Sequence, residues 1–166
     1  EIYKDNVDII MCESMSSIFE GRNASKVAKE FSERVWLSWT NRGHQPDQLP
    51  STEALSKAVD FSIEADVECT LINCSHADMA SNSIKELKRA SRFGIFANSS
   101  TFKEVDLSIA TKDVDAIHHL NSEKISAKEY AMIALSWVKE GAFVVGGCCG
   151  TTVEHTREIK LLMDSL

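Results

Sequence analysis

Three cysteines of the chain lie where metal-binding residues are expected. Cys74, Cys148 and Cys149 lie at the ends of short apolar segments, and Cys74 precedes Cys148 by 74 residues, so only tertiary structure could join them. Three thiolates bind Zn²⁺ and leave its fourth tetrahedral position open, as in catalytic zinc sites. Because soft sulfur ligands favour zinc over magnesium and calcium, these positions predict a zinc centre with room for one more ligand.

The open position of such a zinc centre suits a thiol. A free thiol has a pKa of about 8.5, and coordination to the metal keeps it deprotonated near neutral pH. The thiolate can then attack an activated methyl group. Gly146, Gly147 and Gly150 flank the cysteine pair, and they would let the chain turn tightly enough for both sulfurs to face one ion.

Other interpretations of the cysteines stay open at this stage. The pair Cys148-Cys149 also fits a tight turn with incidental thiols, or a strained vicinal disulfide. Cys12 and Cys69 are interpreted as small buried apolar residues, which is the usual role of an isolated cysteine. None of the five histidines shows the His-x-x-x-His spacing of a helical zinc site.

Predicted strands and helices alternate along the chain around these residues. Strands are predicted at 7–12, 34–39, 69–73, 93–97 and 143–145, and helices at 16–31, 53–65, 78–91, 127–140 and from about 152 onward, while 98–121 carries no clear pattern. This alternation predicts an α/β fold with a parallel sheet, and the continuous apolar strands predict that both faces are covered. Sites in such folds lie at the carboxyl ends of the strands, where Glu13, Cys74, Asn98 and the cysteine pair are expected.

Composition narrows the class of protein further. The 166 residues are 43% hydrophobic and 26% charged, which predicts a single globular domain over residues 1–166. The net charge of −7, with no basic stripe, argues against a nucleic-acid partner. No apolar run approaches the roughly 20 residues needed to span a bilayer. The odd number of cysteines and the lack of a signal peptide predict a cytoplasmic protein.

The segment from Gly146 to Thr152, followed by Glu154-His155, resembles the zinc motif of the homocysteine S-methyltransferases. Further segments resemble that family in the same order and spacing: Cys12-Glu13-Ser14, Trp36-Leu37-Ser38-Trp39-Thr40, Ile72-Asn73-Cys74 and Phe96-Ala97-Asn98-Ser99-Ser100. The resemblance covers essentially the whole chain. It implies a (β/α)8 TIM barrel, of which this chain carries about strands 4 to 8 and their helices.

The resemblance also implies roles for individual residues. Zinc would be held by Cys74, Cys148 and Cys149, with the homocysteine thiolate as fourth ligand. In the substrate site, Glu13 would bind the amino group of homocysteine and Asn98 would support the rim. The first three βα units of the barrel, which carry the family's Asp-Gly-Gly segment, are missing from this sequence. We therefore expect a fragment, or a chain whose barrel is completed by another segment or by oligomerisation.

The implied reaction is methyl transfer to homocysteine, which gives methionine. The donor would be a sulfonium compound such as S-methylmethionine, or alternatively S-adenosylmethionine or the methyl-ammonium compound betaine. Two alternatives remain at this stage. The chain could be a non-catalytic truncated barrel that acts as a zinc-binding or assembly module, or it could be the homocysteine module of a cobalamin-dependent methionine synthase.

Overall fold

Five parallel strands form the central sheet in a computed structural model that describes residues 6–102 and 122–165. Seven strands are described in all: β1 (Ile10–Met15), β2 (Val35–Trp39), β3 (Cys69–His76), β4 (Phe93–Asn98), β5 (Ser100–Phe102), β6 (Ser122–Lys124) and β7 (Val144–Gly147). The central sheet has the order β1-β2-β3-β4-β7, and β5 and β6 form a separate antiparallel pair. Because parallel neighbours need crossover connections, helices occupy the intervals between the central strands.

Six helices are described: α1 (Ile18–Lys29), α2 (Leu55–Glu64), α3 (Ala77–Asn82), α4 (Ile84–Leu87), α5 (Ala127–Lys139) and α6 (Val153–Met163). The side chain of Ser17 caps α1 and a reciprocal capping box of Ser126 and Glu129 begins α5, which satisfies amide groups that a first helical turn leaves unpaired. Among the residues of known position, no helix combines the length and apolar character that a membrane span needs.

The main core lies between the helices and one face of the sheet. Cys12, Leu37, Trp39, Ile72 and Ile95 are buried there against apolar residues of the helices. The register places Cys12 beside Leu37 and aligns Trp39 with Ile72 and Ile72 with Ile95, so these side chains share one face. Side chains of the alternate positions, such as Ser38 and Asn73, therefore lie on the other face.

The predicted α/β class with a parallel sheet is confirmed, but the bounds of the first strand were wrong. We predicted a strand at 7–12 followed by Glu13, whereas β1 runs from Ile10 to Met15 and contains Glu13. The ladder to β2 shifts register after Cys12 and resumes where Met15 pairs with Trp39. This bulge lets the strand continue through polar residues that ended the predicted apolar run.

The single helix predicted at 78–91 is also replaced by two short helices. They are separated at Ser83, which is buried and whose hydroxyl lies within hydrogen-bond distance of the carbonyl oxygens of Pro46, at 2.9 Å, and Met79, at 3.0 Å. Asn41 donates to the same hydroxyl. These bonds fix Ser83 to the loop after β2, a tertiary contact that the helical pattern does not reveal. Of the unpatterned stretch 98–121, positions 98–102 belong to β4 and β5 or lie between them, and 103–121 lie outside the described residues.

Candidate metal centre

The three predicted cysteines meet at the carboxyl edge of the sheet. Their sulfur atoms all lie within 4.8 Å of one another. The Sγ of Cys74 lies 2.7 Å from that of Cys148 and 3.9 Å from that of Cys149. Cys149 is exposed and the other two are half-buried, so the cluster is open to solvent on one side. Among the described histidine, cysteine, aspartate and glutamate side chains, these three cysteines form the group that lies close enough together to hold a metal ion.

Cys74 reaches the cluster through a local distortion of β3. Its backbone has a φ of 51°, in the left-handed region that residues with a Cβ rarely adopt. The register with β4 shifts between Asn73 and His76, which is the signature of a bulge. A bulge at the end of a strand changes the direction of the side chains that follow it. Cys74 therefore departs from the regular alternation of β3.

The end of β4 holds the loop that carries Cys148 and Cys149. The amide of Cys148 donates to the carbonyl oxygen of Ala97 at 2.8 Å, and the amide of Ser99 donates to the carbonyl oxygen of Cys149 at 3.0 Å. The side-chain oxygen of Asn98 accepts from the amide of Cys149 at 3.1 Å. Together these bonds attach the cysteine pair to the neighbouring strand on both sides of Asn98.

Two glycines are required by the geometry of this loop. A Cβ at Gly147 would lie 2.5 Å from the side chain of Thr151, closer than packed carbon atoms can approach. Thr151 cannot easily move away, because its hydroxyl donates to the carbonyl oxygen of Cys148 at 2.7 Å. Gly150 has a φ of 77°, which glycine adopts without strain. The tight turn expected from the sequence is therefore present.

The donor set fits a zinc ion. With Zn–S bonds of about 2.3 Å, two sulfurs of a tetrahedral site lie about 3.8 Å apart. The pair Cys74–Cys149 already has this spacing, while the sulfurs of Cys74 and Cys148 would need to separate by about 1 Å. Burial, and after it the neighbouring Cys74 thiol, raises the pKa of Cys148. Metal binding to this cluster would therefore release protons.

The two residues predicted for the substrate site lie at different distances from the cluster along the sheet. Asn98 is next to it, through its bond to the amide of Cys149. Glu13 is exposed on β1, which is separated from β3 by β2. Glu13 follows Cys12, at the point where the ladder between β1 and β2 shifts register. The structure thus brings Asn98 to the cysteines and leaves Glu13 at the same edge, two strands from Cys74.

Comparison with known proteins decides the family. The family model described as "Homocysteine S-methyltransferase" matches residues 1–163. The chain belongs to the homocysteine S-methyltransferase family. Among its relatives, the homocysteine S-methyltransferase YbgG of Bacillus subtilis (strain 168) is 25% identical over 162 residues, which make up 96% of this chain and 48% of YbgG. The family resemblance predicted from the sequence motifs is confirmed.

Solved structures of the homocysteine methyltransferase MmuM from Escherichia coli share the fold of this chain. The apo form has a TM-score of 0.67 at 19% identity, covering 94% of this chain and 50% of MmuM. The metallated form has a TM-score of 0.69 at 19% identity, covering 95% of this chain and 46% of MmuM. These neighbours are TIM-barrel methyltransferases, so the prediction of part of a (β/α)8 barrel is confirmed. The chain spans about half the length of the relatives that it matches.

The rate of alkylation by iodoacetamide should distinguish the cysteines of the cluster from the cysteines of the core. Burial, followed by the charge of Glu68, raises the pKa of Cys69 to about 12, and burial raises the pKa of Cys12. Since the thiolate is the reactive form, we expect iodoacetamide near neutral pH to modify exposed Cys149 first and to leave Cys12 and Cys69 intact in the folded chain.

Peptide mass spectrometry after timed quenching would measure this order. The chain unfolded in guanidinium is the control, because there all five thiols become accessible. Modification of Cys69 at the rate of Cys149 in the folded chain would contradict the assignment of Cys69 to the core.

Proposed function

We propose that this chain forms the zinc- and homocysteine-binding part of a methyltransferase. The observation that supports the proposal most is the cluster of Cys74, Cys148 and Cys149, whose sulfurs lie within 4.8 Å of one another. Three sulfur donors leave one tetrahedral position for a further ligand. Membership of the homocysteine S-methyltransferase family supports a thiol substrate at that position.

The chain's own residues have distinct tasks in this proposal. Zinc, when bound, would supply Lewis acidity that keeps the homocysteine sulfur deprotonated near neutral pH. Asn98 fixes the amide of Cys149 and so holds the cysteine pair at the rim. Glu13 offers an exposed carboxylate at the same edge of the sheet, where it binds the ammonium group of homocysteine by a charge-assisted hydrogen bond.

The chemical step is displacement at a methyl carbon. The sulfur of homocysteine attacks the methyl group of a sulfonium donor, the carbon–sulfur bond of the donor breaks, and its electron pair leaves with a neutral thioether. Homocysteine becomes methionine, and the proton lost from its thiol passes to solvent. The donor that we propose is S-methylmethionine, with S-adenosylmethionine and betaine as the alternatives that the test distinguishes.

The full substrate pocket extends beyond this chain in our proposal. Active sites of (β/α)8 barrels are built from the loops after all eight strands, and the described sheet contains five parallel strands. We propose that further βα units, from the same polypeptide or from a partner, complete the donor site. Zinc and homocysteine binding are therefore expected of this chain itself, and rapid methyl transfer is expected once the barrel is complete.

The test begins with the reduced, purified chain and measures zinc by elemental analysis. Isothermal titration of the zinc-loaded chain with homocysteine in two buffers of different ionisation enthalpy then reports affinity and proton release together. We expect stoichiometric zinc, saturable homocysteine binding and release of the thiol proton. Homoserine, which carries a hydroxyl in place of the thiol, is the matched control ligand and should bind far more weakly.

Two binding outcomes would contradict the proposed function, and a third outcome would contradict the proposed donor. Zinc binding with no response to homocysteine would favour a zinc-binding or assembly module, and folded chain without zinc would overturn the metal centre altogether. For the reaction, methionine formation is followed by mass spectrometry with each donor in turn, using the chain supplied with the upstream barrel units. Methylation from betaine alone would overturn the choice of a sulfonium donor.

A further inference from the structure

The side-chain amide of Asn73 lies at the centre of a buried hydrogen-bond network beside the cysteine cluster. Its Oδ1 accepts from the hydroxyl of Ser38 at 2.6 Å and from the backbone amide of Ser14 at 2.9 Å. Its Nδ2 donates to the hydroxyl of Ser14 at 2.7 Å. Asn73 is 2% exposed and Ser38 is fully buried. One amide therefore links the carboxyl ends of β1, β2 and β3.

The network coincides with two distortions of the backbone. Ser14 has a φ of 58° and Cys74 has a φ of 51°, and the sheet register shifts at both places. Left-handed conformations are unfavourable for residues other than glycine, so they persist only where surrounding contacts enforce them. Asn73 supplies such contacts. It directly precedes Cys74 in the chain, and its side-chain amide is hydrogen-bonded to both the backbone amide and the hydroxyl of Ser14.

We propose that Asn73 is a positioning residue that holds the Cys74 thiol in the geometry required for metal binding. It touches neither metal nor substrate, and it acts by locking the end of β3 to β1 and β2 so that the bulge directs Cys74 toward Cys148. The inference deepens the proposed function and rests on it. It assigns a positioning task to the residue directly before the first cysteine, in addition to the hydrogen bond that the hydroxyl of Thr40 donates to the carbonyl oxygen of Cys74 at 3.5 Å.

The chemistry of the network requires an amide. Its oxygen accepts two hydrogen bonds while its nitrogen donates one, and the bond to Ser38 is buried whereas the two bonds to Ser14 are partly buried. Alanine would leave the Ser38 hydroxyl and the Ser14 amide without their partner, and aspartate would replace the donor with a charged acceptor of the same shape. Both changes are therefore expected to release the bulge at Cys74.

The experiment titrates the reduced chain with Co²⁺, whose absorption spectrum reports the number and geometry of thiolate ligands. We expect Asn73→Ala to weaken cobalt binding by about tenfold or more, as is typical for loss of a residue that supports a metal ligand, and to change the spectrum. Ser14→Ala, which removes only one acceptor, should give a smaller loss in the same direction and guards against a failure of Asn73→Ala to fold.

Asn41 provides the matched control. It is also buried, but its side-chain amide donates to Pro46 and Ser83 rather than to β1. Its backbone amide donates to the hydroxyl of Ser75 beside Cys74, and alanine keeps that bond. Asn41→Ala should lower the melting temperature and leave the cobalt spectrum unchanged. Wild-type affinity and spectrum in both Asn73→Ala and Ser14→Ala would overturn the proposal, as would an equal spectral change in Asn41→Ala.

A metal-free measurement separates this inference from the proposed function. The rate at which iodoacetamide modifies Cys74, relative to Cys149, is determined in the folded wild-type chain and in the variants of Asn73 and Ser14. We expect the ratio to change severalfold in these variants and to stay constant in Asn41→Ala. If the wild-type chain binds no cobalt, the proposed function fails, while the rate ratio still decides whether Asn73 positions Cys74.

Discussion

The Cys148→Ser variant is expected to lose stoichiometric zinc. The sulfur of Cys148 lies 2.7 Å from that of Cys74 in the cysteine cluster. A serine hydroxyl stays protonated near neutral pH and is a poor zinc ligand, so only two thiolates would remain. We expect the affinity for zinc to fall by more than about 100-fold. Removing a residue that only supports a metal ligand already costs up to about 100-fold, and removing the ligand itself should cost more.

Metal content after dialysis and competition with a chromophoric chelator measure this loss. The matched control is Cys69→Ala, which removes a thiol that is buried in the strand region away from the cluster. That variant should keep zinc, even if its smaller side chain lowers the stability of the fold. Retention of wild-type zinc affinity by Cys148→Ser would show that this sulfur is not a ligand.

The Gly21→Ala variant is expected to unfold more easily, although alanine is the better helix former. Gly21 lies in α1, and a Cβ there would lie 2.4 Å from the indole ring of Trp39. The ring cannot turn away, because Trp39 is fully buried and its Nε1 donates to the hydroxyl of Ser62 at 3.0 Å. Overpacking of this kind costs about 1–3 kcal/mol, and we expect a loss of that order.

The sign of the effect makes this prediction informative. At a helical glycine without tertiary contact, alanine would raise the free energy of unfolding by about 1 kcal/mol. Urea denaturation followed by tryptophan fluorescence measures the change. Asn23→Ala is the control, since Asn23 is exposed on the same helix and its replacement should leave stability nearly unchanged or slightly higher. If the Gly21→Ala chain is more stable than wild type, the predicted clash between the added Cβ and Trp39 is wrong.

Much of the architecture follows from patterns that are local in the sequence. Apolar runs such as Leu71-Ile72 mark buried strands, and Ser126 with Glu129 marks the start of α5, because burial and capping depend on residues close together in the chain. The Cys148-Cys149 pair among glycines likewise carries its own signal of a tight turn. Patterns of this kind predicted the parallel α/β fold, and the resemblance of the motif segments around the cysteines predicted the family.

Other features were not predictable, because they depend on contacts between distant segments. The break at Ser83 arises from bonds to the loop after β2, and the extension of β1 past Glu13 arises from pairing with Trp39. Gly21 lies inside the helix predicted at 16–31, and only the structure shows that this glycine makes room for Trp39. The role of Asn73 was missed for the same reason, although its place directly before Cys74 was a usable signal.

The amino-acid sequence alone indicates which residues are chemically capable, and it indicates the order in which strands and helices place them at one edge of a sheet. It identified Cys74, Cys148, Cys149, Glu13 and Asn98 through residue type and position. The folded chain shows what that order does not: the three sulfurs lie within 4.8 Å of one another, and a bulge redirects Cys74. The reason is that a distance between sulfurs 74 residues apart depends on how neighbouring strands register and bend, and those bends are fixed by buried hydrogen bonds across β1, β2 and β3.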